Sequence, residues 1–356
     1  MKITSATVRP CVQGLGDPQW KFARAQVPRL EGSVLCLEDE DGHRGLGYVH
    51  AIPAISTHGA GAVAALDFLA PRLVGRRADD IAAIMDEIDA TLAFAPTVKA
   101  GIDMALHDLL ARRLGVPVHV LLGGKLRDTV ALSRILPIKS PQDMAAIAGR
   151  LAGEGYLQLK LKLAGDTEVD IQRIAAVRAA VGDGVALTLD PNQSYNAKQL
   201  IGAFAKMEPY RISLIEQPVP AADVAGLALI TRTLPVAIEA DESAQTVRDV
   251  FRLVSERVVD VINLKVTNLG GFRHFLEAVR ICEAGQVGCR LGAAFGPALM
   301  QAHSLQAASL PKALPYACEL SEHLHLHDDP FTALPVLAGE LRLPEGAGCG
   351  VVYREA

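Results

Sequence analysis

Residues 157–163 read LQLKLKL. Strand side chains alternate between faces, so Leu157, Leu159, Leu161 and Leu163 share one side and Gln158, Lys160 and Lys162 the other. The leucine face calls for a covering layer, and the two ammonium groups on the other face call for a chemical reason. Outward from this stretch, short apolar strands recur at TVALSRIL (129–136), VALTLD (185–190), ISLIE (212–216), VAIEAD (236–241), VINLK (261–265), GCRLGA (288–293) and YACEL (316–320). Ala- and Arg-rich helical segments such as DIQRIAAVRAAVG and GFRHFLEAVRICEAG lie between them. Eight strand–helix units predict a parallel sheet covered by helices and closed into a (β/α)8-type TIM barrel over residues 126–320. An open doubly wound sheet is the alternative.

The first 125 residues follow a different grammar. Strand-like SVLCLED, the turn EDEDGHRG and RGLGYV form hairpin chemistry, and a long Ala-rich helical stretch follows from about residue 60 to 114. Gly123 and Gly124 mark a boundary. This predicts an N-terminal α+β capping domain over residues 1–125. Residues 321–356 no longer alternate and are expected to pack back on the cap and complete it.

Bulk properties narrow the partners. The 356 residues are 50% hydrophobic and 21% charged, with a net charge of −5 and an isoelectric point near 6.1. Phosphate backbones and anionic membranes need clustered excess Lys and Arg, so neither nucleic acid nor membrane is expected, and small molecules are the natural ligands. The N-terminus MKITSATVRP has no apolar signal core, and no run reaches the roughly 18 apolar residues of a membrane span, which points to a cytoplasmic protein. Six cysteines without a C-x-x-C pair read as reduced thiols.

Three strands end in an acid: Asp190, Glu216 and Asp241. Lys162 precedes them and Lys265 follows, and the successive gaps are 28, 26, 25 and 24 residues. Each gap is one strand–helix unit, so the five groups meet at the C-terminal mouth of the barrel, where barrel enzymes carry their sites. A lone acid at a strand end is an ordinary helix N-cap or turn former. Three converging carboxylates, however, repel one another unless a cation sits between them. Oxygen ligands without His or Cys nearby suit Mg²⁺, with Mn²⁺ as a substitute. Lys160 and Lys162 would lie about 7 Å apart, a repulsion of about 2 kcal/mol at an effective dielectric of ~20, which predicts mutual lowering of their basicity.

The ordered set KLK, DPNQ, EQP, ADES and NLKVTNLGG resembles the muconate lactonizing enzyme (muconate cycloisomerase) subgroup of the enolase superfamily, alongside mandelate racemase. The resemblance covers nearly the whole chain. It implies that Asp190, Glu216 and Asp241 hold Mg²⁺, that Lys162 and Lys265 are acid/base groups on opposite sides of the substrate, and that Lys160 is an electrostatic helper at the substrate carboxylate. The mandelate racemase subgroup places a His after strand seven, where this chain has GCRLGAAFG. The implied reaction is abstraction of the proton α to a carboxylate through an enediolate, as a racemase or epimerase of an amino-acid derivative. Cycloisomerisation or dehydration on the same scaffold is the alternative, and a metal-free Schiff-base lyase is the alternative class. Family likeness and apolar composition also point to a homo-oligomer.

Substrate contacts are expected from Asn192, from Glu319 at the end of strand eight, and from Trp20 and Tyr48 in the cap stretches GLGDPQWKFA and YVHAIPAIST. Dipeptide epimerases carry D-x-D where this chain has Glu319, Leu320 and Ser321. His323, His325 and His327 of HLHLHDD fall on one face of an extended stretch beyond the last strand and read as surface or interface residues.

Overall fold

The computed structural model describes residues 1–354. The N-terminal unit opens with an antiparallel meander in which β1 (Ile3–Gly14) pairs with β2 (Arg29–Asp39) and β2 with β3 (Arg44–Ala51). Asp39 closes the β2–β3 turn by accepting the N–H groups of Asp41 and His43 at 3.0 and 2.9 Å, and Gly42 takes the left-handed φ of 84° that such a turn needs. Helices α1 (Gly59–Leu69), α2 (Ile81–Thr91) and α3 (Pro96–Leu114) cover the sheet.

Helix α3 is buried on nearly every side, its Lys99, Asp103 and Asp108 included, as a helix sandwiched between two layers is. One face meets β3 so closely that a Cβ added at Gly47 would collide with the carbonyl of Gly101. Its other face joins the large core shared with the barrel.

The barrel contains seven parallel strands in sequential order: β4 (Ser133–Leu136), β5 (Gln158–Lys162), β6 (Ala186–Asp190), β7 (Ile212–Glu216), β8 (Ala237–Ala240), β9 (Val261–Leu264) and β10 (Gly288–Leu291). Helices alternate with them, and α4 (Pro141–Gly153), α5 (Thr167–Val181), α6 (Ala197–Met207), α7 (Val224–Thr233) and α8 (Val247–Ser255) each begin at a short polar residue. Ser140, Asp166, Asn196, Asp223 and Thr246 accept the backbone N–H three residues on, satisfying a donor the helix leaves open. α9 (Phe272–Gly285) and α10 (Ala298–Ala308) follow.

The eighth strand is shorter than the sequence suggests. Only Cys318 and Glu319 bridge the gap, Cys318 bonding to Ala131 and Ser133 at 2.8 Å each and Glu319 to Leu291 and Ala293 at 2.8 and 3.1 Å. The first expected strand, 129–136, is split for a related reason: Thr129–Ala131 pairs antiparallel with Glu340–Arg342, and only Ser133–Leu136 enters the barrel. The chain beyond 320 therefore touches the barrel at 129–131. It also reaches the cap, through Cys349 N to Asp108 (2.6 Å) and Arg112 to the Val351 carbonyl (2.8 Å).

The leucine face of LQLKLKL is covered as expected, with Leu159, Leu161 and Leu163 fully buried, whereas Leu157 precedes the strand and is 73% exposed. All six cysteines are unpaired. Among the described residues no helix is long and apolar enough to cross a membrane.

The α3–β3 contact leads to a stability prediction. Gly47→Ala should cost at least about 2 kcal/mol, as overpacking does where backbone cannot yield. Gly149→Ala, with open space inside α4, should instead gain up to about 1 kcal/mol. Urea unfolding of the two variants measures both.

Candidate active site

At the C-terminal ends of the barrel strands lies a cavity of about 540 Å³ whose lining includes Lys160, Lys162, Asn192, Asp241, Lys265 and Glu319 from the barrel and Trp20 and Phe22 from the cap. Counting Cys318–Glu319 as the eighth member of the ring, β5 is second and β9 sixth. Lys162 and the Lys265 that follows β9 therefore stand half a turn apart and face each other across the cavity.

Each lysine is tied to a different carboxylate. Lys162 Nζ donates to Asp190 Oδ2 at 2.5 Å, and Lys265 Nζ to Asp241 Oδ2 at 2.5 Å. Lys160, 2% exposed, lies within 2.7–2.9 Å of Asp190, Glu216 and Glu319. Its basicity runs opposite to the expectation from the lysine pair. Burial pulls Lys160 down, but Asp190, Glu216 and Glu319 together hold it well above its ordinary value; three carboxylates in contact outweigh one neighbouring ammonium. Lys265 is likewise raised, with burial opposed by Asp241 and Glu216.

The loops that carry the acids are locked to one another. Gln217, in a left-handed conformation (φ 34°), accepts the N–H groups of Asp241 and Ser243 at 3.0 and 3.1 Å and donates to Ser243 Oγ at 2.8 Å. Gln193 N donates to the Gln217 carbonyl at 2.8 Å, and Asp190 Oδ1 accepts the Asn192 N–H at 2.9 Å. The loops after β6, β7 and β8 are thus tied to one another through Gln217.

A deeper layer escaped the sequence reading. Arg290, on β10 and fully buried, contacts Glu216 at 3.1 Å, Glu239 at 2.8 Å and Glu319 at 2.6 Å. Glu216 and Glu319 are each drawn down to about 2: burial raises them, while Lys160 acts most strongly against it at Glu216 and Arg290 at Glu319. The signal was available in GCRLG and IEAD, where a charged residue interrupts an otherwise apolar barrel strand.

The donor set fits a divalent cation in kind: Asp190, Glu216 and Asp241 bring hard carboxylate oxygens to the same end of the barrel, and the buried acids beside them are not all paired. Asp241 is pushed up to about 7 by burial, with Glu242 and Glu216 adding to it against Lys265, and Glu242 Oε2 is buried without a partner. A second acidic group, Asp39, Asp41 and His43, brings its ligand atoms within 4.8 Å of one another. There Arg113 already holds Asp39 at 2.9 Å and Asp41 at 2.5 Å, so that group serves the hairpin.

Other expected contacts divide. Trp20 lines the cavity, 2% exposed, with its ring edge-on to Phe295 at 4.5 Å, and Phe22 lies 5.6 Å from Lys162 Nζ. Asn192 and Glu319 also line it, although Glu319 is held by Lys160 and Arg290. Tyr48 must be corrected: it is fully buried in the core and absent from the cavity wall, its ring lying over Gly32 of the neighbouring strand. Neighbouring His50 is also fully buried, lowered to about 4 by desolvation and by the Lys265 charge. Two of the three histidines are corrected too, while His327 is exposed as expected. Glu322–His325 is a 3₁₀ turn, His323 is buried 3.3 Å from the Leu334 carbonyl, and His325 packs on Trp20 and Phe295.

This fold and this set of acids and lysines define an isomerase of the enolase superfamily, and comparison with known proteins agrees. Residues 13–123 match the mandelate racemase / muconate lactonizing enzyme N-terminal domain and residues 143–356 the enolase C-terminal domain-like family; the chain belongs to this family. A hydrophobic dipeptide epimerase of Enterococcus faecalis is 33% identical over 295 residues, 82% of either chain. A solved structure of an E. faecalis dipeptide epimerase, complexed with Mg and L-Leu-L-Tyr, superposes with a TM-score of 0.94 at 30% identity, over 99% of this chain and 100% of that one. Muconate cycloisomerase 1 of Rhodococcus opacus is 32% identical over 288 residues, 80% of this chain and 77% of that one.

Because Arg290 is the common partner of three buried acids, Arg290→Met should cost about 3–5 kcal/mol, the penalty of leaving buried charges uncompensated. The exposed Lys206–Glu168 pair should yield less than about 1 kcal/mol when Lys206 is replaced by Met. Denaturant midpoints of the two variants decide the matter.

Proposed function

We propose that the protein is a Mg²⁺-dependent racemase or epimerase that inverts the carbon next to a carboxylate in an amino-acid derivative. The observation that carries this reading is that Lys162 and Lys265 line one cavity from opposite sides, each ion-paired to a different carboxylate of the same acidic cluster. Asp190, Glu216 and Asp241 would hold the metal. Bound there, Mg²⁺ would supply positive charge to the substrate carboxylate as negative charge builds on it.

The lysines do the rest. For each stereoisomer the base is whichever of Lys162 and Lys265 stands, as a neutral amine, on the side of the α hydrogen. That neutral Nζ takes the α proton, and the electron pair left on carbon moves into the carboxylate to form the enediolate. The opposite lysine, still an ammonium, returns a proton to the other face, and configuration inverts. Lys160, held charged by its three acids, stabilises the carboxylate oxygens and does not exchange protons. Trp20, Phe22 and Phe295 exclude water from the reacting carbon. The loop that carries Trp20 and Phe22 is pinned over the barrel by the Lys139–Asp17 pair at 2.8 Å and by Ile138 N to the Lys21 carbonyl at 3.0 Å.

Two outcomes test the reading. With a panel of dipeptides, N-acyl amino acids, hydroxyprolines and muconates in D₂O, NMR should detect Mg²⁺-dependent exchange of an α proton that EDTA abolishes. Lys162→Ala should slow exchange about 10²–10⁴-fold from one stereoisomer and Lys265→Ala from the other. Equal loss from both stereoisomers in either variant would contradict two opposed bases. Independently of turnover, Mg²⁺ should raise the melting temperature of the wild type, as any ligand of the folded state does, and Glu216→Gln should remove that rise.

A further inference from the structure

The backbone behind the two opposed lysines is secured by different means. After Lys265 the chain turns at once into the short helix Val266–Leu269, and Asn268 N and Leu269 N bond back to the Lys265 carbonyl at 3.1 and 3.0 Å. After Lys162 no helix begins until Thr167, so the N–H groups of residues 163–165 need partners from elsewhere. Leu163 N donates to the Asp190 carbonyl at 3.1 Å. Ala164 N donates to both oxygens of Asp170, at 3.1 and 3.2 Å, and Gly165 N to Asp170 Oδ2 at 2.9 Å.

Asp170 lies on α5, fully buried, and no proton-transfer step uses it. Its carboxylate also accepts Arg173 Nη1 at 2.7 Å and the Tyr195 hydroxyl at 2.9 Å. Arg173 Nε in turn donates to the carbonyl of Lys139 at 2.9 Å, and Tyr195, 2% exposed in the loop after β6, donates its N–H to the Pro218 carbonyl at 3.0 Å. One carboxylate therefore joins the chain that follows β4, β5 and β6. The fit is tight at Gly165, which takes a left-handed φ of 87° and where a Cβ would fall 2.7 Å from the Ser194 carbonyl oxygen. A long flexible side chain such as that of Lys162 reaches a reacting atom reproducibly only from a fixed root, and this clamp fixes it.

We infer that Asp170 and Tyr195 are positioning residues for Lys162 and not for Lys265, so that proton exchange from the two stereoisomers of a substrate can be impaired separately. This rests on the reading of Lys162 and Lys265 as opposed bases and adds to it residues that touch neither substrate nor metal.

The test uses the full chain with saturating Mg²⁺ and follows α-proton exchange in D₂O separately for L-Ala-L-Leu and L-Ala-D-Leu, and for N-acetyl-L-leucine and N-acetyl-D-leucine. Tyr195→Phe and Gly165→Ala should each slow exchange about 10–10²-fold from the stereoisomer that Lys162→Ala also slows, and change the other by less than about twofold. A merely structural role, or damage to the metal site, would slow both stereoisomers equally. Equal slowing, no slowing, or slowing of the stereoisomer that depends on Lys265 would overturn the inference. Absence of exchange in the wild type would count against the isomerase reading, and crystal structures of the two variants then decide the positioning role without turnover. Lys162 Nζ should shift by about 1 Å or more while Lys265 keeps its 2.5 Å contact with Asp241; a Lys162 that stays in place would overturn the inference.

Discussion

Buried carboxylates converge toward the C-terminal end of the barrel, and the site depends on their being neutralised. Mutual repulsion of buried acids is among the largest unfavourable energies a fold can contain. Arg290 neutralises part of it from below, Lys160 from the centre, and Lys162 and Lys265 from either side. The locking of Gln217, Gln193 and Asn192 follows from the same constraint. Acids that repel do not stay convergent unless rigid backbone holds them so.

The upper layer of this arrangement was legible because a barrel converts periodicity in sequence into convergence in space. A charged residue recurring every 24–28 residues at the end of an apolar strand has few other readings. The layer beneath was hidden by looking only at strand ends. Inward-facing residues alternate, so the residue two before each mouth residue also faces inward, and that rule adds Glu239 and Asn263 to the Lys160 already evident in LQLKLKL. Asn263 in turn sits opposite Arg290 in the β9–β10 register. The eighth strand and the first were misjudged in extent for another reason. Their hydrogen-bond partners lie far away in the chain, at 339–342 and 291–293, and local pattern carries no information about who pairs with whom.

Tyr48 and the lysine pair show a second kind of illegibility. An aromatic residue beside a loop fits a lid and a core equally well, and the choice is made by Gly32, sixteen positions away in sequence, which leaves room for the ring to lie flat in the core. For Lys160, sequence proximity revealed one like charge and concealed three unlike ones brought in from β6, β7 and the closing segment. Electrostatic inference from neighbours in sequence fails when the barrel supplies stronger neighbours in space.

The division of labour between the two lysine classes follows from geometry. Lys160 touches three acids and remains a fixed positive charge whatever happens to any one of them. Lys162 and Lys265 each make one close ion pair, with Asp190 and Asp241 respectively, and so are held by fewer partners than Lys160. A group that must pick up and release a proton near neutral pH needs an environment that can be altered by one event, whereas a group that must stay charged needs several redundant partners. The barrel supplies both within one strand, two residues apart, because Lys160 is set deep among Asp190, Glu216 and Glu319 while Lys162 stands at the rim beneath Phe22.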